Sequence, residues 1–207
     1  MLKPRKAKIK RKTSETEVSV SLNVDGRGKS KIDTGIGFLD HMLELFAKHG
    51  LFDLEIKAKG DLKVDLHHTN EDIAICLGQA FNKALGKREG IQRFGQKSVQ
   101  RSVPMDEALV QVIVDISGRP FFNNIKSEKI YEEKNVPGGY YNMEYTRQFF
   151  QSLVNNFPIT MHINIVDAGS DMHHLLEAIF KAVGVALDEA TRIDPRKKGI
   201  PSTKGRL

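Results

Sequence analysis

The sequence predicts an α+β fold made of two copies of a β-β-α-β-α half, and three observations predict it. Runs that alternate apolar and polar residues are interspersed with runs of helical period. The order of elements read from those runs is the same in both halves of the chain. A five-residue word, His67-His68-Thr69-Asn70-Glu71, returns as His173-His174-Leu175-Leu176-Glu177, 106 residues later. Repetition of a whole β/α unit predicts a pseudo-symmetric domain with function at the seam between the copies.

In the first half, TEVSVSLNVDGRG alternates from Thr16 and ends at Asp25-Gly26, which reads as a strand entering a tight turn with GKSKI as its return. IGFLDHMLELFAKHG sets Phe38, Met42, Leu45 and Phe46 at helical spacing and stops at Gly50, a helix-ending glycine. FDLEIKAKGDL reads as a strand. DLHHTNEDIAICLGQAFNKALGKREG reads as a second helix, with Ile73, Cys76, Leu77, Ala80, Phe81 and Leu85 on one face. The second half follows suit: QKSVQRSVPM and EALVQVIVDISG as paired strands, YNMEYTRQFFQSLVNNF as a helix, ITMHINIVDAG as a strand, and DMHHLLEAIFKAVGVALDEATRI as the last helix. The expected divisions are a basic N-terminal tail at 1–12, half-repeats at 13–90 and 91–193 forming one compact domain, and a C-terminal tail at 194–207.

Composition narrows the function classes. The 207 residues are 40% hydrophobic, enough for a sizeable core. No apolar run reaches the roughly 18 residues of a membrane span, and no apolar stretch follows the charges of MLKPRKAKIKRKT as in a secretory signal. A cytoplasmic protein with no membrane partner is expected. Cys76 is the sole cysteine, so internal disulfides and CxxC sites are excluded. Lys plus Arg outnumber Asp plus Glu by 32 to 26, with the surplus at the two ends, but charge does not choose between an anionic ligand and solvated tails.

The repeated word carries the chemistry. On a helix each residue advances about 100°, so the first His and the Glu four residues on share a face, as do the second His and that Glu, while the two adjacent imidazoles diverge. Each word is therefore expected to feed two neighbouring metal centres, one His to each. A lone His-His pair at a helix start is ordinarily a capping or surface feature; two copies with the same downstream Glu favour ligation. The remaining histidines are His41, His49 and His162. His41 sits on a largely apolar helix and also reads as a core histidine, whereas His49 suits the negative end of a helix dipole. Imidazole and carboxylate donors without thiolate suit Mn²⁺, Fe²⁺, Co²⁺, Ni²⁺ or Zn²⁺. Arg93 and Arg119 beside glycines, with Ser202, Thr203 and Lys204 in a flexible tail, are candidates for an anion site, each also readable as a solvated surface residue. Lys181 lies two turns beyond His173 on the same helix.

These words closely resemble imidazoleglycerol-phosphate dehydratases, a family of histidine-biosynthetic enzymes. The matching stretches run in order from about residue 10 to the C-terminus: TSETEV, TGIGFLDHML, HGLFDLEIKAKGD, DLHHTNED, IQRFG, VPMDEAL, DISGRPFF, MHI, HHLLEAIFKA and IPSTKG. The resemblance implies helices packed between two mixed β-sheets, two Mn²⁺ per active site, and a homo-oligomer of 24 subunits in the family with active sites shared between subunits. It implies metal-ligand roles for His41, His67, His68, Glu71, His162, His173, His174 and Glu177. It also implies contacts to the substrate phosphate for Arg93, Arg119, Lys181, Ser202 and Lys204, and places Glu15 at the reacting end of the substrate.

The implied reaction converts imidazole glycerol phosphate to imidazole acetol phosphate plus water. The carbon-bound proton is not acidic at the outset, and two metals holding the ring as an imidazolate would let its electrons expel the hydroxyl, giving a diazafulvene-like intermediate with an acidified C–H. Glu15 is the first choice for the base that removes it and Glu177 the second. Three features depart from the family pattern: Leu45 stands where Gln is frequent, Asp171 where Asn is frequent, and GQKSVQRSVPMD is longer than usual. Two rival readings remain. A dinuclear hydrolase would release inorganic phosphate. A basic nucleic-acid-binding module is disfavoured by the lack of aromatics among the basic segments, so no nucleic-acid partner is expected.

Overall fold

The structure, a computed structural model, describes residues 4–95, 102–126 and 141–207. Among the described residues two mixed sheets enclose four helices, with the elements in the order β1 (Lys6–Lys12), β2 (Thr16–Asn23), β3 (Ser30–Asp33), α1 (Gly37–His49), β4 (Asp53–Gly60), α2 (His67–Leu85), β5 (Phe94–Gly95), β6 (Val103–Met105), β7 (Ala108–Asp115), β8 (Phe121–Lys126), α3 (Met143–Asn156), β9 (Thr160–Asp167) and α4 (Met172–Thr191). The first sheet runs β1-β2-β4-β3 and the second β5-β7-β9-β8, with β6 also on β7. In each sheet the last pair is parallel, β3 with β4 and β8 with β9, and a helix bridges it. This shared β-α-β crossover in matching positions is the structural signature of the duplication.

Three expectations change. Within the segment expected to be a tail, Lys6–Lys12 is a strand, paired antiparallel with β2 along its whole length. Ala7 is buried and Ile9 half-buried on the inner side, while Lys6, Lys8 and Lys10 point to water. Arg11 reaches Asp72 of α2 at 2.7 Å, and Thr16 also donates to that carboxylate. Charge on an edge strand discourages pairing with other chains. The opening hairpin is also absent: β3 pairs with β4 rather than with β2. Asp53 at the start of β4 accepts the backbone N–H groups of Arg27 (2.8 Å) and Lys29 (3.3 Å), carrying the 24–29 loop across the end of that strand. The C-terminal segment is tied down rather than flexible, since Gly90 N–H donates to Gly199 O (2.8 Å) and Arg93 Nη1 to Pro201 O (2.9 Å). Of the longer stretch after Arg93, residues 96–101 lie outside the described residues.

The helical stripes fall where periodicity set them. All six apolar residues named on α2 are buried, and α4 buries Leu175, Leu176, Ile179, Phe180, Val183 and Leu187. On α1 the buried face differs from the expected stripe at two places: Leu39 and Leu43 are buried while Phe38 and Leu45 are half-buried against the core. Gly50 closes α1 with a right-handed φ of −82°, and Leu51 takes the positive φ instead. The need for glycine is one of space, since a Cβ there would stand 2.4 Å from the Phe52 ring and 2.9 Å from Gly184 O of α4.

Phe81 sits at the crossing of the layers, edge-on to Phe46 and Phe52 and stacked on Phe157 with ring centroids 5.5 Å apart. It is fully buried. Phe81→Ala is expected to cost about 3–5 kcal/mol in unfolding free energy, read by denaturant titration, because the three neighbouring rings cannot collapse into the space. Cys76 is also buried on α2, and burial with the nearby Asp72 pushes its thiol up to about 11, which disfavours the reactive thiolate.

Candidate metal centre and substrate site

Both repeated words open a helix, so their imidazoles are displayed at helix N-termini. Asp171 caps α4 by accepting His173 N–H at 2.7 Å, a task its carboxylate performs as an Asn would. Within each word the adjacent rings diverge, at 89° with centroids 6.0 Å apart for His67 and His68, and at 83° and 6.2 Å for His173 and His174.

Only the i, i+4 pair of each word closes. His173 Nε2 lies 3.0 Å from Glu177 Oε1 and His67 Nε2 lies 3.5 Å from Glu71 Oε2. The second histidines turn elsewhere, which corrects the expectation that they share the same Glu. His174 Nδ1 meets Glu107 Oε2 at 3.0 Å, and His68 Nδ1 meets Asp61 Oδ2 at 2.9 Å. Neither acid was singled out in the sequence, because each lies outside its word and reaches the histidine only through the fold.

The tightest group joins α1 to α4. His41 Nε2 stands 2.9 Å from Glu177 Oε1, the same oxygen that faces His173, and Lys181 Nζ donates to Glu177 Oε2 at 2.6 Å. His41 is thus not a core histidine. The donor atoms of His41, His173 and Glu177 lie within 4.8 Å of one another, as do those of Asp106, Glu107 and His174. Burial alone would raise the Glu177 carboxyl, but hydrogen bonds from Lys181, His41 and His173 outweigh it and hold the group at about 2. The hydrogen bond to Asp61, with Glu15 nearby, raises His68 above the usual imidazole value, and Glu107 does the same to His174. His49 behaves oppositely to expectation. Desolvation and the neighbouring Lys181 and Lys48 push its pKa down, so the charge that would suit the helix dipole is disfavoured.

Glu15 follows the Thr13 turn before β2, its backbone N–H donating to Thr13 Oγ1 at 3.1 Å. Its carboxylate is 3.8 Å from His68 Nδ1 and about half exposed, 53% by side chain. His162 lies apart. It alternates on β9 with the buried Met161 and Ile163, so it faces away from the helices, where Asn123 meets its Nδ1 at 3.0 Å.

The basic candidates divide into two places. Lys181 belongs to the histidine group. Arg93 is clasped by Asp115 at 2.7 and 3.1 Å, and its contact with Pro201 draws in the segment that carries Ser202 and Lys204. The chain end packs on Gly118, where a Cβ would stand 2.2 Å from the Leu207 backbone, so Arg119 adjoins the same segment. Arg119 and Lys204 are exposed. Arg93, Arg119, Ser202 and Lys204 therefore lie around one end of the second sheet.

A duplicated α+β domain whose repeated helix starts present paired histidines and carboxylates has the donor set of a metal-dependent enzyme, and comparison with known proteins gives the family. The family model for imidazoleglycerol-phosphate dehydratase matches residues 34–187. The chain is 54% identical over 206 residues to the imidazoleglycerol-phosphate dehydratase of Thermoanaerobacter pseudethanolicus, covering 98% of this chain and 100% of that one. Crystal structures of the Staphylococcus aureus enzyme (TM-score 0.76, 35% identity, 91% of this chain and 99% of that one) and of the Pyrococcus furiosus enzyme in complex with (S)-C348 (TM-score 0.77, 36% identity, 96% and 100%) share the fold. The chain belongs to the imidazoleglycerol-phosphate dehydratase family, hydro-lyases of the dehydration step in histidine biosynthesis. Among the described residues no helix is long and apolar enough to cross a membrane.

Proposed function

We propose that this protein converts imidazole glycerol phosphate to imidazole acetol phosphate with two Mn²⁺ at each active site, in the cytoplasm, as a homo-oligomer with shared sites and 24 subunits as the family resemblance implies. The observation that carries the reading is Glu177 Oε1, approached by His41 Nε2 and His173 Nε2 from two helices. Hard carboxylate and borderline imidazole donors without sulfur fit Mn²⁺. His41, His173 and Glu177 would contribute to one metal and His67 with Glu71 to its neighbour, with His68, His162 and His174 completing the two sets. Sharing between subunits is supported by the place of His162, on the sheet face turned away from the helices that bear the other histidines.

Bound metals, held by these histidines and carboxylates, would supply positive charge that favours the anionic form of the substrate ring and so the departure of the neighbouring hydroxyl. The chain's own residues then do the rest. Arg93, Arg119, Ser202 and Lys204 hold the phosphate, and Lys181 lends charge beside Glu177. Glu15, exposed beside His68, takes the carbon-bound proton; Glu177 is the weaker candidate because three donors already engage its carboxylate. The reading is tested against the hydrolase alternative by incubating the purified Mn²⁺-loaded protein with imidazole glycerol phosphate. A ketone product without inorganic phosphate is expected, and phosphate release would overturn it.

A further inference from the structure

The two halves pin the second histidine of each word by the same ring nitrogen, yet with acids from different places in the half. In the first half Asp61, just after β4, meets His68 Nδ1 at 2.9 Å. In the second, Glu107, just before β7, meets His174 Nδ1 at 3.0 Å. The residue before β2, which occupies the position matching Glu107, is Glu15, and it stands back from His68 at 3.8 Å. An ionised carboxylate can only accept, so the Nδ1 that faces it carries the hydrogen and a neutral ring keeps its lone pair on Nε2. The nearest carboxylates to His174 Nε2 are Asp106 at 3.8 Å and Asp171 at 4.0 Å, beyond hydrogen-bonding range, so that lone pair is available to a ligand.

Glu107 is itself held firmly. Its Oε1 accepts from Ser170 N–H (3.2 Å), Ser170 Oγ (3.3 Å) and Asp171 N–H (3.1 Å) at the entry to α4. Gly169, at φ +65°, leaves the space for it, since a Cβ there would fall 2.3 Å from Glu107 Cγ. Asp61 directs Oδ2 to His68 and is mostly buried, 26% exposed by side chain.

We infer that Asp61 and Glu107 are positioning residues that fix His68 and His174 with Nε2 as the metal-binding atom, and that Asp61, by taking this task in the first half, releases Glu15 for the substrate. This rests on the two-metal reading above. The duplicated site thereby becomes asymmetric: the acid before β7 is engaged by four contacts, whereas among the described residues the Glu15 carboxylate has no hydrogen bond and only the 3.8 Å approach to His68.

The test is Mn²⁺ titration of the full-length, chelator-stripped protein, followed by the signal of free Mn²⁺ in electron paramagnetic resonance, with Asp61→Ala, Asp61→Asn, Glu107→Ala and Glu107→Gln alongside the unmodified chain. Each Ala variant is expected to lose about 10- to 100-fold in affinity at one of the two metals. The Asn and Gln variants, whose amide oxygens still accept from Nδ1–H, should recover most of that loss. The metal-free melting temperature of the Asn and Gln variants should stay close to that of the unmodified chain, whereas Glu107→Ala, which removes the acceptor for Ser170 and Asp171, should lower it. Unaltered Mn²⁺ affinity in both Ala variants, with two ions bound by the unmodified chain, would overturn this inference alone. Equal loss in Ala and amide variants with a lowered metal-free melting temperature would overturn it too, by showing a merely structural role. Failure of the unmodified chain to bind Mn²⁺ would remove the metal reading, and this inference with it.

Discussion

Glu177→Gln is expected to lower turnover by about a thousandfold or more, a loss of about 4 kcal/mol in transition-state stabilisation. One carboxylate oxygen serves His41 and His173 while the other takes Lys181 at 2.6 Å. An amide is uncharged, and with its oxygen kept on the ammonium its NH₂ faces the two ring nitrogens and takes up the lone pairs that a metal would need. The side chains of Glu177 and Lys181 are only 9% and 13% exposed, so the variant also leaves a desolvated cation without its anion. The metal-free protein should lose about 3 kcal/mol of stability in denaturant titration. Steady-state kinetics with Mn²⁺ in excess separates the effects, and a Glu177→Gln enzyme with near-normal kcat would contradict the account of this site.

Glu15→Gln should be the second large effect, with kcat reduced by about a hundred- to ten-thousandfold. Unlike Glu177, Glu15 holds nothing together through its carboxylate, and its backbone contact to Thr13 survives the change. Stability and Mn²⁺ affinity are therefore expected to stay close to those of the unmodified chain, with KM little altered. That pattern is what loss of a proton acceptor produces, since the interaction matters only in the transition state. Near-normal turnover would show that another group takes the carbon-bound proton, and Glu177 would then be the first to consider.

The parts of the fold that could be read in the sequence are those written in local period. The stripe from Ile73 to Leu85 reports which face of α2 is buried, and the repeated His-His-x-x-Glu word reports the duplication. Where tertiary pairing decides, local pattern falls short. Asp25-Gly26 marks a turn, but nothing near it says that the next strand will cross to the far side of β4 and run parallel to it. β1 was masked by its lysines, whose alternation with Ala7 and Ile9 is a strand pattern that reads as charge when taken as composition. Phe121–Lys126 lacks alternation altogether and owes its strand to the parallel partner β9.

The site divides along the same line. Helical geometry gives the pairing of His67 with Glu71 and of His173 with Glu177, and the divergence of neighbouring rings. It cannot give the partners of His68 and His174, because Asp61 and Glu107 arrive from a strand end and a turn. Leu45, where the residue departs from the family pattern, is half-buried against the core on α1, one turn beyond His41, which stands beside Glu177.

The most direct test of the central claim is the dehydration of imidazole glycerol phosphate by the purified protein, followed as ketone product, after stripping with chelator and again after Mn²⁺ is restored. The account predicts that activity disappears on stripping and returns with Mn²⁺. Full activity in protein shown to be free of metal, or none in protein shown to hold it, would contradict the account.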